Sequence, residues 1–179
     1  MLIKLIYFLL PAAAANIIPV LVKNNFKILS YPLDLKAKFF DGKRVLGDHK
    51  TFRGVIFAVI AAVIAVLIQR ELHDNYLFNA LSLVNYQEIN IWLFGTLIGL
   101  GVMLGDSLGS FAKRRLDIKP GKSFYLVDQI GSAIGLGILV LPIYVPSWKI
   151  FIYLILIWTL GHFIIKYLGY LIGIDDKAV

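Results

Sequence analysis

The chain contains no cysteine, which excludes a disulfide scaffold, a thiolate metal site and a cysteine nucleophile. It also lacks any fixed-period repeat or low-complexity tract, so it is neither a solenoid nor a biased linker. His49 has no second histidine near it, which argues against a zinc site. Lys and Arg are missing from 71–90, where Glu71, Asp74 and Glu88 stand alone. No stretch is polar enough and long enough to form a separate soluble module. What fills the 179 residues instead is apolar: 59% hydrophobic, with a mean hydropathy of +0.81, above the roughly 45–50% of soluble domains.

A membrane span needs about 20 mainly apolar residues. Five runs qualify: Leu2–Val22, Gly54–Gln69, Ile91–Gly105 continuing toward Phe111, Phe124–Val145 and Ile150–Ile174. The expected fold is an all-α integral membrane protein of five transmembrane helices, one domain over 1–179. The first run has no basic n-region or small-residue cleavage site and is interrupted by Pro11, Asn16 and Pro19, so it reads as a retained span. Those three residues either open the backbone beside a cavity or only kink the helix.

The net charge of +7 is concentrated rather than spread. The loops 23–53 and 112–123 hold thirteen of the eighteen Lys and Arg residues. Both lie on one side of a five-span chain, which the positive-inside rule makes cytoplasmic. The N-terminus is then outside and the C-terminus inside, in the cell membrane, and no nucleic-acid partner is implied. Trp92, Tyr144 and Trp148 fall at the outer interface, where an aromatic belt belongs.

Asp106 and Asp128 stand at the ends of apolar runs with five cations between them. Carboxylates at membrane depth are costly and mark functional sites. Asp106, Ser110, Lys113 and Arg114 are spaced to share one helix face. Lys119-Pro120-Gly121-Lys122 then breaks the helix and returns the chain, so that Asp128 reaches a depth similar to that of Asp106. Such a pair suits Mg²⁺, which takes one or two carboxylates plus substrate phosphates, although each Asp also has cations near enough for a structural ion pair. Lys50 and Arg53, in Leu46–Gly54, suit phosphate as point charge and bidentate fork, and the amides at the start of the next helix are expected to add donors. Cations there also serve as ordinary interface anchors. His49 is a candidate substrate contact. Lys166 is read as snorkelling to the inner interface and His162 as a helix–helix hydrogen-bonding group.

Ser110-Phe-Ala-Lys113-Arg114, four residues, Lys119, and then Asp128 resemble the S-x-x-K-R-x4-K and aspartate signature of membrane CTP-dependent cytidylyltransferases. Lys50-Thr51-Phe52-Arg53-Gly54 resembles their second motif. In size, span plan and three segments the chain is similar to the short archaeal branch, the CDP-archaeol synthases. The segments are Pro11 to Val20, Gly47 to Gly54, and Gly105 to Gln129. The resemblance implies that CTP and a lipid phosphate, in that branch di-geranylgeranylglycerol phosphate, give a CDP-lipid and pyrophosphate with Mg²⁺. It implies Asp106 and Asp128 as metal ligands, and Lys113, Arg114, Lys119 and Lys50 on the phosphates. Asn16, Thr51, Ser110 and Arg53 complete the candidate substrate contacts. The chain departs from the family pattern at Gly131, where a second aspartate is common; Ser132 or a water is then the expected substitute. Beside this enzyme reading stands a different class: a small transporter or channel component using the Asp pair as an ion site. The lack of an inverted repeat counts against it.

Overall fold

The computed structural model describes residues 1–23, 26–118, 125–144 and 147–171. These residues are helical apart from loops and two isolated β-bridges, in the order α1 Leu2–Val22, α2 Phe52–Leu72, α3 Tyr76–Leu81, α4 Ile91–Arg115, α5 Tyr125–Tyr144 and α6 Trp148–Leu171. Three of them, α1, α2 and α4, are long and apolar enough to cross a membrane, and α5 and α6 contain shorter apolar stretches at Ile130–Val140 and Trp148–Gly161.

The first run matches α1 in both bounds. The second starts earlier than expected, at Phe52, because Thr51 is extended and its Oγ1 accepts the Gly54 N–H at 3.2 Å, an N-cap. The third runs on to Arg115 and stops before Lys119-Pro120. Ile118 N–H returns to the Lys113 carbonyl at 3.0 Å, with Asp117 in the left-handed region at φ 58, a C-terminal cap that ends the helix. The second basic loop therefore begins at Leu116 rather than 112. No sequence pattern predicted the short α3, capped by Asn75.

Exposed side chains show which faces meet lipid. Ile56, Ile60, Ile64 and Ile68 line α2; Leu100, Leu104 and Leu108 line α4; Ile152, Leu156, Leu160 and Ile164 line α6. A four-residue spacing is one helix face. A soluble helix turns such a stripe inward; here it faces out, toward acyl chains.

The centre of the bundle is α4, which packs on α5, α2 and α1. Glycines allow the close approach. A Cβ on Gly99 would lie 2.6 Å from Val59 Cα, and one on Gly131 would lie 2.7 Å from the Gly105 oxygen. Small residues at helix contacts serve membrane bundles in this way. Gly101 meets Gly135 and Gly105 meets Gly131. This antiparallel register sets the first turn of α5, which includes residue 128, level with Leu108 of α4. Asp106 and Asp128 thus lie at similar backbone depth, as expected. The absence of an aspartate at 131 also gains a physical reason, since that position is filled by the α4 backbone. Ser132 is buried, and its Oγ accepts the Trp158 Nε1–H at 3.0 Å, joining α5 to α6.

Pro11 and Pro19 do not break α1. Pro11 has no N–H to offer the Tyr7 carbonyl. The buried Gln69 of α2 supplies the missing donor, with Nε2 2.6 Å from that oxygen. At the same end of the bundle, His73 faces Ser82 Oγ and Asn79 Nδ2, each at 3.2 Å, and packs edge-on against buried Tyr86. Trp92 and Trp148 are both exposed there, as a belt requires.

Candidate active site

The loop between α1 and α2 has little regular structure, yet one carboxylate organises it. Asp34, with its side chain 1% exposed, takes Arg44 as a two-pronged partner, Nη2 at 2.9 Å and Nε at 3.1 Å. The amides of Lys36, Leu46 and Gly47 also donate to it at 3.1, 3.0 and 3.2 Å. Burial alone would push its carboxyl up. The Arg44 fork and the three amides outweigh that and hold it well below the usual carboxylate range. Gly47, at φ +121, then turns the chain. The turn leads to Lys50, whose carbonyl accepts the Leu33 N–H at 2.7 Å.

From this platform Lys50 Nζ reaches across to the Asp106 carboxylate of α4, joining the two sequence motifs. The pair is half-buried, with side chains 20% and 30% exposed. Arg53, one turn along, is buried and donates Nη1–H to the Phe26 carbonyl; among the described residues its Nε has no hydrogen-bond partner. The expected amide donors at the start of α2 are not available. Phe52 N–H goes to the Tyr31 carbonyl, Arg53 N–H to the Leu29 carbonyl and Gly54 N–H to the Thr51 side chain. An anion at the start of α2 is met there by side chains rather than by these amides.

These groups wall a cavity of about 480 Å³. Asn16 and Pro19 line it from α1 and Lys23 from the residue that caps it, Asp48, His49, Lys50, Thr51 and Arg53 from the loop and α2, and Met103, Asp106 and Ser107 from α4. Asn16 is shared with a second, almost wholly apolar groove of about 510 Å³ between α1 and α6. Pro11, Asn16 and Pro19 thus leave the α1 backbone helical, while Asn16 and Pro19 still border a cavity.

Of the predicted site residues, the structure brings Asn16, Lys50, Thr51, Arg53 and Asp106 together. Thr51 is at once cavity wall and helix cap. Ser110 shares the helix with Asp106 but is buried, its hydroxyl bonded to the Asp106 carbonyl at 3.0 Å rather than turned to the cavity. Lys113 and Arg114 form the last turn of α4, where cations favour the helix C-terminus, and they do not line the cavity. Lys119 and the side chains of Asp128, His162 and Lys166 lie outside the described residues. The reading from sequence missed Lys23, Asp48, Met103 and Ser107. Met103 and Ser107 carry a findable signal, lying one turn before and one residue after Asp106 on the same helix. Among the described residues no three acidic or histidine side chains cluster as a ready metal cage.

A family profile, CarS-like: CDP-archaeol synthase, matches residues 1–179. The chain is similar to the CDP-archaeol synthase of Methanocaldococcus jannaschii, 33% identical over 176 residues, which cover 95% of this chain and 97% of that one. It is likewise 33% identical to the CDP-archaeol synthase of Archaeoglobus fulgidus, over 98% of this chain and 97% of its relative. A solved structure of an intramembrane enzyme for archaeal membrane lipids biosynthesis superposes with a TM-score of 0.70 at 27% identity, covering 89% of this chain and 90% of its own. With one profile spanning the whole length, and relatives sharing a third of their residues along nearly all of it, the chain belongs to the CDP-archaeol synthase family.

Proposed function

We propose that the chain transfers CMP from CTP to a membrane lipid phosphate, of the unsaturated archaetidic acid kind or phosphatidic acid, releasing pyrophosphate. The observation that carries this reading is the cavity whose wall brings together Lys50, Arg53 and Asp106 from two separate motifs. It is bordered through Asn16 by an apolar groove. A charged head and an apolar tail would thus be met by adjoining surfaces.

The lipid phosphate is already an anion at neutral pH, so no protein nucleophile is needed. Its oxygen bonds to the α-phosphorus of CTP as the bond from that phosphorus to the bridging oxygen of the β-phosphate breaks. Catalysis of this kind is mostly positioning and charge neutralisation. In this reading Lys50 meets the triphosphate and Arg53, beside it on the cavity wall, the lipid phosphate. Lys113, Arg114 and Lys119 are the further phosphate contacts in this reading. Ser110 acts through the helix backbone rather than on substrate.

The donor set fits a divalent cation: Asp106 presents a half-buried carboxylate on the cavity wall, balanced by Lys50. Mg²⁺ is commonly held by one or two carboxylates with substrate phosphates completing its shell. Asp106 and Asp128 would hold it, and it would supply charge neutralisation at the triphosphate. Lys50, which pairs with Asp106 across the cavity wall, would offer its remaining N–H groups to a phosphate. We further read five spans, with the N-terminus outside and this cavity on the cytoplasmic side of the plasma membrane, where CTP is found.

The test is transfer of label from α-³²P-CTP to an organic-extractable product by purified protein with Mg²⁺. The acceptors are di-geranylgeranylglycerol phosphate and phosphatidic acid. Labelled lipid is expected, and the preferred acceptor fixes the substrate. No label with either acceptor, from folded protein, overturns the reading.

A further inference from the structure

Next to the cavity loop stands a feature that the transfer reaction does not use. Residues 37–45 form a tight hairpin. Val45 N–H bonds to the Ala37 carbonyl at 3.1 Å, Phe39 N–H to the Lys43 carbonyl at 2.8 Å, and Gly42 turns it at φ +76. Its tip residue, Phe40, is 100% exposed. A phenylalanine ring gains by leaving water, and this one is held fully in the open.

Looseness is not the explanation, because the hairpin is clamped to the end of α4. The Arg115 guanidinium lies 5.1 Å from the Phe39 ring and 4.7 Å from the Phe111 ring. Its Nη1 donates to Asp41 at 2.9 Å and its Nη2 to the Arg44 carbonyl at 2.7 Å. Lys43 pairs with Asp117 at 2.7 Å. The Phe39 and Phe111 rings meet edge to face at 5.2 Å. The fold holds Phe40 outward on a rigid mount.

The mount has a definite depth. Phe111 is the twenty-first residue of α4, about 30 Å along the axis from Ile91 at 1.5 Å per residue. That equals the thickness of a bilayer's hydrocarbon core. The exposed apolar stripe of α4 ends just before it, at Leu108. The hairpin on Phe111 is therefore level with the headgroup layer. Just before Phe40 in the chain, Lys36 and Lys38 are exposed. An exposed aromatic ring flanked by cations matches the chemistry of an anionic interface, to which each Lys near the surface is attracted.

We propose that this hairpin is an interfacial membrane anchor. Phe40 enters the boundary between headgroups and acyl chains, and Lys36 and Lys38 bind the phosphates of anionic lipids. The anchor would hold the α1–α2 loop, and with it Lys50, against the membrane. It stands independently of the transfer reaction.

The absence of cysteine makes a clean probe possible. A nitroxide on Phe40→Cys in the full chain is read by power saturation with oxygen and a nickel chelate. Vesicles are phosphatidylcholine alone or mixed with phosphatidylglycerol, and Ile64→Cys, on the lipid-facing stripe of α2, calibrates depth. The label at 40 is expected to favour oxygen, at a depth between that of Ile64 and water. The depth should increase with phosphatidylglycerol, and Lys36→Gln with Lys38→Gln should abolish that increase. Three results overturn the proposal: nickel reaching the label as freely as in water; shielding from both reagents, which marks a second protein copy over the ring; and a depth indifferent to lipid charge.

Discussion

Two ion pairs at the basic end of the bundle show how the same chemistry serves opposite purposes. Asp34 and Arg44 are joined by a two-pronged contact, and three backbone amides complete the carboxylate's hydrogen bonds. Nothing entering from solution can offer Asp34 more than it already has. Lys50 and Asp106 share one contact on a cavity wall, each still partly exposed. Asp106 keeps lone pairs and Lys50 keeps N–H groups that this contact does not use, which the proposed reaction would give to a cation and a phosphate. A fully satisfied pair holds a shape, whereas a partly satisfied pair beside open volume is the one that the proposed reaction would exchange for substrate.

The sharpest way to break this comparison is at the first pair. Removing one partner of a buried pair costs about 3–5 kcal/mol. Asp34→Asn is expected near the lower bound, about 3 kcal/mol, because Arg44 retains Asp48 at 3.1 Å. Thermal unfolding in detergent should show the loss, with lower KM-independent yield of folded enzyme. The pH dependence has a fixed sign. The folded carboxyl is held below its unfolded value of about 3.9. Its contribution is thus complete above about pH 4 and fades as pH falls toward the folded value. The gap in stability between wild type and Asp34→Asn should be constant at neutral pH and narrow in acid. A constant gap down to the most acid pH the fold tolerates would contradict the assignment.

At the second pair the effect should move from stability to turnover. Asp106→Asn is expected to lower kcat/KM by about a hundredfold or more, the scale of one lost electrostatic contact in a reacting site. The melting temperature should barely change, since Lys50 is free to turn toward water and a partly exposed pair is worth about 1 kcal/mol or less. A variant that unfolds but keeps its activity per folded molecule would reverse the roles of the two pairs.

The difference between the pairs was only half legible in the sequence. Asp106 stood out because a carboxylate at the end of an apolar run is rare, and the extent of α1 followed from the apolar run Leu2–Val22 despite its two prolines. Asp34 looked like one acid among many cations. Its role depends on the amides of Leu46 and Gly47, twelve and thirteen residues away, and no local period encodes a loop closed at that distance. Thr51 was read within a phosphate motif, but its N-cap role explains where α2 begins. The amides at that helix start looked available until Leu29 and Tyr31 proved to occupy them. Gly131 read as a missing ligand because spacing alone does not reveal that α4 passes within contact distance of it.

A third pair extends the comparison to its exposed limit and carries the smallest expected effect. Lys43 and Asp117 meet at 2.7 Å, closer than several of the contacts around Asp34, yet the Asp117 side chain is 79% exposed. Distance alone would rank this pair with the structural one. Burial ranks it last, because water and salt screen it and ordering two mobile side chains offsets most of the attraction. Asp117→Asn should change stability by less than about 1 kcal/mol, and that small difference should vanish in high salt. Asp117 also holds a left-handed conformation at the end of α4, which asparagine adopts as readily, so the backbone is not disturbed. A larger loss that persists in salt would mean that the hairpin clamp depends on this contact rather than on Arg115. Geometry, not desolvation, would then decide which ion pairs hold this loop.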